Sequence, residues 1–276
     1  MINKLGWRNN QWIKIDEIFL SIKDRGLKFS DGIFETILIK NNKAILLGEH
    51  LERMKRTSKL LNIRFPSNQI ILEDIINEGI KKLSLKNYKY GSIRINLSRG
   101  LNIDRSIKIQ PENNKFDINN LWIEFYEIEI NFKPINVHIS TTEKRNEYSL
   151  LSQCKTFSYN QSIQALIEAN QKNFDDSLIL NTKNELCCGT TFSIIIKRDS
   201  QWITPSKTSG CLPGIMINKL LNLKLVKEQE SILPKFKKED ILIAINSLSC
   251  KQIKRVNDFE FLSDFDPRYY WEILYN

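Results

Sequence analysis

Apolar and polar positions change period several times along the chain, and each change marks an element. Ile33-Phe34-Glu35-Thr36-Ile37-Leu38-Ile39 is β-branched and aromatic, and a polar Lys40-Asn41-Asn42-Lys43 turn separates it from Ala44-Ile45-Leu46-Leu47, which predicts a hairpin. From Gly48 the spacing becomes helical, with Leu51, Met54 and Leu61 recurring. A second helix is predicted from Ser67 to about Lys82, after Pro66, with Ile70, Ile71, Asp74, Ile75 and Glu78 alternating between its faces. Ser92–Ser98 alternates strictly and ends at Arg99-Gly100, as a half-buried strand does; residues 101–119 are polar and irregular, a predicted loop; Leu121–Ile128 is again a strand.

Pro134 stops that strand, which makes Asn131–Pro134 the expected linker between a small N-terminal α/β domain (1–130) and a larger C-terminal mixed domain (135–276). The second half opens on Val137-His138-Ile139-Ser140. It has a helical pattern from Ser162 to Asn170, then short strands at 178–180, 185–187, 192–196 and 202–204 between polar turns. A helix is expected to begin at Gly214-Ile215, and Ile241–Ile245 is an apolar run. The fold class expected is α+β in two units.

Composition narrows what these units do. The 276 residues are 41% hydrophobic, enough for real cores, and no apolar run approaches the roughly 20 residues of a membrane helix. The start lacks a signal-like apolar stretch, and five cysteines form neither a disulfide framework nor a CxxC pair, so a cytoplasmic protein is expected. The net charge of +9 is uneven: residues 1–134 hold 23 Lys+Arg against 16 Asp+Glu, and residues 135–276 hold 18 against 16. No Lys/Arg block or nucleic-acid motif accompanies it, so a small anionic ligand is the expected partner rather than nucleic acid. With only His50 and His138, a zinc site built on several histidines is excluded, and no GxGxxG, Walker A or GxSxG motif occurs.

What remains is a series of short motifs in one order. Asp24-Arg25-Gly26 and Ser30-Asp31-Gly32-Ile33-Phe34-Glu35-Thr36 come first, then His50-Leu51-Glu52-Arg53-Met54 and Ser98-Arg99-Gly100. Cys154-Lys155-Thr156-Phe157-Ser158-Tyr159 and Gly210-Cys211-Leu212-Pro213-Gly214-Ile215 follow. Together they resemble the class IV (fold-type IV) pyridoxal-phosphate enzymes, which include branched-chain and D-amino acid aminotransferases and 4-amino-4-deoxychorismate lyases. The resemblance runs from Asp24 to Ser247.

It implies a two-domain D-amino acid aminotransferase-like fold, pyridoxal 5'-phosphate as cofactor and a homodimer. It also implies roles. Lys155 is the amine that condenses with the cofactor aldehyde and moves protons. Arg53 provides a guanidinium for the phosphate, joined by the helix start at Gly214, Ile215 and Met216 and by the Ser247 hydroxyl. Tyr159 lies near the phenolic oxygen, and Phe34 and Arg99 belong to the substrate side, Arg99 as partner of a carboxylate. Bland readings stand beside these: a solvated helix arginine at 53, a turn serine at 247, a core tyrosine at 159, a structural salt bridge at Arg99. Arg25 and Glu35 are expected to tie the first sheet together, and His50 to pack or hydrogen bond.

The pattern departs from the family in Leu186–Ser193. Aligned with ExTxxN, it sets Cys188 where a Glu partners the pyridine nitrogen and Ser193 where an Asn stands; Met216 replaces a common Thr. A thiol is a weaker partner than a carboxylate. That harms transamination, which depends on a strong electron sink, more than an elimination that forms an aromatic ring. The expected activity is therefore 4-amino-4-deoxychorismate lyase, giving 4-aminobenzoate and pyruvate. A class IV aminotransferase for D- or branched-chain amino acids is the alternative, and a non-catalytic ligand-binding relative the second.

Overall fold

In the computed structural model, residues 4–66, 69–85, 89–111, 115, 117 and 120–275 are described. The chain forms two compact units: residues 1–130 with Lys155–Ser158, and residues 131–154 with 159–276. A single cut near the expected linker therefore leaves out one thing: four residues of the second half complete the first unit.

The first unit contains β1 (Lys4–Arg8), β2 (Gln11–Ile13), α1 (Arg25–Phe29), β3 (Gly32–Lys40), β4 (Lys43–Ala44), α2 (Leu47–Leu60), α3 (Gln69–Leu83), β5 (Tyr90–Ser98) and β6 (Leu121–Ile128). Its six-stranded sheet has the order β2-β1-β6-β5-β3-β4, with antiparallel neighbours throughout. The strict alternation of β5 and the apolar runs of β3 and β6 place Ile33, Ile37, Ile93, Ile95, Ile123 and Phe125 on one face, where the helices cover them. Leu51 and Met54 of α2 and Leu72, Ile76, Ile80 and Leu83 of α3 form the opposing stripes. Of the residues expected to alternate between the faces of α3, Ile75 packs against the core and Ile71 is exposed. Ser67, its expected start, is outside the described residues.

The expected hairpin is shorter than its apolar run. β4 ends at Ala44, because Leu46 turns into the left-handed region (φ 53°) and its carbonyl accepts the first α2 hydrogen bond from His50 N. Most of β3 is therefore uncovered by β4. The first residues of β3 pair instead with the returning segment: Phe34 N donates to Lys155 O, and Phe157 N to Gly32 O.

The second unit contains β7 (Ile135–Arg145), α4 (Asn160–Gln171), β8 (Asp176–Asn181), β9 (Leu186–Gly189), β10 (Ser193–Arg198), β11 (Gln201–Pro205), α5 (Ile215–Asn222), β12 (Lys227–Gln229), β13 (Ile241–Asn246), β14 (Ser249–Val256), β15 (Phe259–Glu260) and α6 (Arg268–Ile273). The sheet order is β12-β11-β10-β13-β14-β7-β8-β9, with β15 beside β14. Its apolar core joins Val137, Leu178, Ile194, Ile196, Leu242 and Ile253, among others. β14 and α6 carry no strong periodic signal: β14 buries Gln252 beside Ile253 and shifts register against β7 between Ile253 and Arg255. Among the described residues no helix is long and apolar enough to cross a membrane.

Candidate active site

Alternation along β3 sorts the first unit's chemistry onto two faces. Glu35, on the core face, is buried and accepts from Arg53 Nε at 2.7 Å and Nη2 at 2.6 Å, while His50 Nδ1 bonds its Oε2 at 2.7 Å. His50 and Arg53, three apart on α2, reach the same carboxylate. Burial alone would raise the Glu35 carboxyl, but Arg53 and then His50 reverse it and hold it at about 2. His50 titrates below the usual imidazole range because burial outweighs its bond to Glu35. The structural reading of Glu35 and His50 holds, and Arg53 is oriented through two of its nitrogens.

Phe34, the residue before Glu35, faces the other way. Lys155 Nζ lies 4.3 Å and Arg94 Cζ 3.7 Å from the centre of its ring. Arg94 reaches it because Phe34 is paired with Asn96 across the β3–β5 ladder, two positions along the same face; Arg94 Nε donates to Asn96 Oδ1 at 2.8 Å. Lys155 is there because its own backbone extends the sheet. Its neighbour Phe157 packs against Gly32, whose Cα would leave no space for a Cβ beneath the ring.

Arg99 does not meet the expectation of a substrate contact. It is buried, with Nε on Asp31 at 2.7 Å, Nη1 on Asn62 O at 2.6 Å and Nη2 on Leu61 O at 2.8 Å. All three nitrogens are occupied in tying the end of β5 to the α2 terminus. Arg25 shares Asp31 at 2.8 Å and joins Asn102, so it too is structural. The cation that shares the Phe34 ring with Lys155 is Arg94, which sequence reasoning missed. The signal was its place on the same face as Phe34 in an alternating strand.

In the second unit, Gly214 caps α5, whose first-turn N–H groups have no acceptor within the helix. A Cβ at Gly214 would lie 2.7 Å from Ser193 Oγ, so glycine keeps the helix start open beside that hydroxyl. Gly210, at φ +87°, turns the approach to this loop, and a Cβ there would meet the Glu147 backbone. Ile215 and Met216 bury their side chains and present only backbone to this end. Ser247 is in the β13–β14 turn, half-buried. These donors of the second unit suit a phosphate, and in the first unit the Lys155 amine suits an aldehyde; each is chemistry that pyridoxal phosphate would call on.

Cys188 is half-buried on β9, and Arg145, at the end of β7, acts on it electrostatically while donating its own hydrogen bonds to Gln161 Oε1 and Ser162 Oγ at 2.7 Å; Tyr159, capping α4, also acts on Arg145. Arg145 is a second residue that sequence reasoning missed, because nothing in a lone arginine at a strand end signals what it faces. The neighbouring thiol bond with Cys187 and then the guanidinium lower the Cys188 thiol to about 6, against the opposing effect of burial.

The geometry agrees with comparison to known proteins. The family model for amino-transferase class IV matches residues 32–256, and the chain belongs to that family. A Methanocaldococcus jannaschii protein provisionally named a branched-chain-amino-acid aminotransferase is 26% identical over 225 residues, 80% of this chain and 74% of the relative. A Schizosaccharomyces pombe protein provisionally named an aminodeoxychorismate lyase is 28% identical over 205 residues, 72% of this chain and 77% of the relative. Among solved structures, a Legionella pneumophila protein provisionally named a 4-amino-4-deoxychorismate lyase superposes with TM-score 0.81 at 22% identity, covering 94% of this chain and 96% of that one. A Mycobacterium tuberculosis hypothetical aminotransferase in its PLP-bound form gives TM-score 0.82 at 13% identity, covering 99% and 97%. The mixed α+β architecture is that of the fold-type IV pyridoxal-phosphate enzymes.

Proposed function

We propose that this protein is a pyridoxal-phosphate-dependent 4-amino-4-deoxychorismate lyase, releasing 4-aminobenzoate and pyruvate. The observation that carries the choice of reaction is the absence of a carboxylate at position 188, where a thiol stands instead. When bound, the cofactor supplies an aldehyde for an amine and a ring that withdraws electrons. A thiol supports that withdrawal less than a carboxylate does. Elimination tolerates this because the aromatic ring being formed supplies driving force; transamination has no such help.

The chain's own residues take the following parts. Lys155 is the anchoring amine and the base that removes the proton from the amine-bearing carbon of the substrate. Phe34 fixes the Lys155 ammonium group by its ring face and forms one wall for the substrate. Arg94, rather than Arg99, provides the cation for a substrate carboxylate, on the evidence of its 3.7 Å approach to the same ring. Arg53, aimed by Glu35, and the Gly214–Met216 backbone with Ser247 serve the phosphate; Tyr159 serves the phenolic oxygen.

The purified protein mixed with pyridoxal phosphate is expected to develop a visible absorption band that Lys155→Ala lacks. With aminodeoxychorismate it is expected to produce 4-aminobenzoate fluorescence. Robust keto-acid-dependent transamination by the wild type, without 4-aminobenzoate release, would sink the lyase reading and favour the activity for which the M. jannaschii relative is named.

A further inference from the structure

The face of the first sheet that looks away from α2 and α3 holds a carboxylate that the expected chemistry does not account for. Alternation puts Phe34 of β3, Arg94 and Asn96 of β5, and Trp122, Glu124 and Tyr126 of β6 on this face. Glu124 stands directly opposite Arg94 across the β5–β6 ladder, and Trp122 opposite Asn96. The Glu124 carboxylate gathers the polar side chains around it. Oε1 accepts from Asn96 Nδ2 at 2.9 Å and from Trp122 Nε1 at 3.2 Å, and Oε2 accepts from Tyr126 OH at 2.6 Å.

These donors are themselves fixed. Trp122 and Asn96 are buried, and the Trp122 ring lies 5.8 Å from that of Phe157. Burial, and then the bond to Glu124, push the Tyr126 phenol above its ordinary range, so the hydroxyl keeps the proton that it donates. Asn96 carries the order onward to the cation. Its amide N–H is engaged by Glu124, which turns its carbonyl oxygen toward Arg94 Nε at 2.8 Å. Without the carboxylate, the two ends of the amide have nearly the same shape, and the reversed amide would set one donor against another. Arg94 is thus held at one edge by Asn96 and over its face by Phe34, at 3.7 Å from the centre of the ring that also meets Lys155 Nζ at 4.3 Å. A guanidinium fixed in this way loses little freedom when a planar carboxylate docks on it.

We propose that Glu124 is a positioning residue for substrate recognition: acting through the Asn96 amide, it aims the Arg94 guanidinium at the substrate carboxylate. The proposal rests on the assignment of Arg94 to that carboxylate given above and deepens it. Asn96 is the second member of the relay, and Glu124 acts through it rather than on the reacting atoms.

The test uses the protein loaded with pyridoxal phosphate and two ligands that share an aromatic amine and differ in the carboxylate, 4-aminobenzoate and aniline, titrated calorimetrically. Wild type is expected to prefer 4-aminobenzoate by about a hundredfold, the scale of two charge-assisted hydrogen bonds. Arg94→Gln is expected to abolish that preference. Glu124→Gln keeps the shape of the side chain and is expected to reduce the preference to about tenfold, and Asn96→Leu to reduce it to the same level. Combining Glu124→Gln with Asn96→Leu is expected to lose no more than either alone, and adding Glu124→Gln to Arg94→Gln to change nothing further. A purely structural Glu124 gives another pattern: a lower melting temperature with the preference kept, or weaker binding of both ligands alike. Either of those results, or losses that multiply in the double variants, overturns the proposal while the assignment of Arg94 stands. A wild type that binds 4-aminobenzoate no better than aniline overturns both.

Discussion

Glu35 shows how one buried carboxylate sets the position of two other side chains. Its carboxylate is shared by Arg53 and His50, and removing it leaves a buried guanidinium without its anion. Glu35→Ala is expected to destabilise the fold by about 3–5 kcal/mol, measured by urea unfolding. The pH dependence has two windows. His50 stays neutral in the fold where the unfolded chain's imidazole charges at about 6.5, so unfolding takes up a proton and stability falls as pH drops below that value. His50→Asn is expected to flatten the fall in melting temperature between about pH 6.5 and pH 5, read by calorimetry. Glu35 acts lower: its contribution is complete above the unfolded carboxyl value of about 4.5 and is lost as pH falls toward about 2. At this scale the sequence was legible for Glu35 and His50, whose expected structural ties the fold shows. It failed where the partner was decided by tertiary contact. Arg94 is on β5 and Arg99 directly follows it, and only the fold shows that Arg99 is tied to Leu61, Asn62 and Asp31 while Arg94 faces Phe34.

Among elements, the segment Lys155–Ser158 matters most, because its backbone bonds to β3 place the amine. Gly32 is the contact on which that pairing depends. Gly32→Ala drives a methyl group into the Phe157 ring and is expected to cost about 1–3 kcal/mol and to weaken uptake of pyridoxal phosphate. Phe157→Leu in the same chain is expected to recover part of both losses, and a double-mutant cycle in thermal unfolding and cofactor titration measures the coupling. Strong periodicity located β5, β6 and α2, and the Pro-Gly loop located the start of α5. β4 was over-read because apolar residues continue past Ala44 although the backbone turns at Leu46. β14 and α6 were not legible, since buried Gln252 and a register shift break the alternation that marks a strand.

For the whole molecule, several cations of the charge-rich first half are tied up internally. Arg25, Arg53 and Arg99 are buried against Glu35, Asp31 and backbone carbonyls. The second unit exposes Leu150, Leu151, Ile163 and Ile167. Such an apolar surface, with the family resemblance, supports a homodimer. Sedimentation velocity is expected to show a dimer, and Leu151→Asp with Ile163→Asp to shift it toward monomer; a wild type that sediments as a monomer at micromolar concentration rejects this.

The borrowed four-residue segment also bears on how the protein is made. A ribosome releases the first 130 residues well before Lys155, and until then the start of β3 has unpaired backbone groups along one edge. The N-terminal unit is thus a nascent intermediate with an open sheet, exposed to wrong pairing during synthesis. It becomes complete only when the lysine arrives, so the step that closes the sheet also installs the amine.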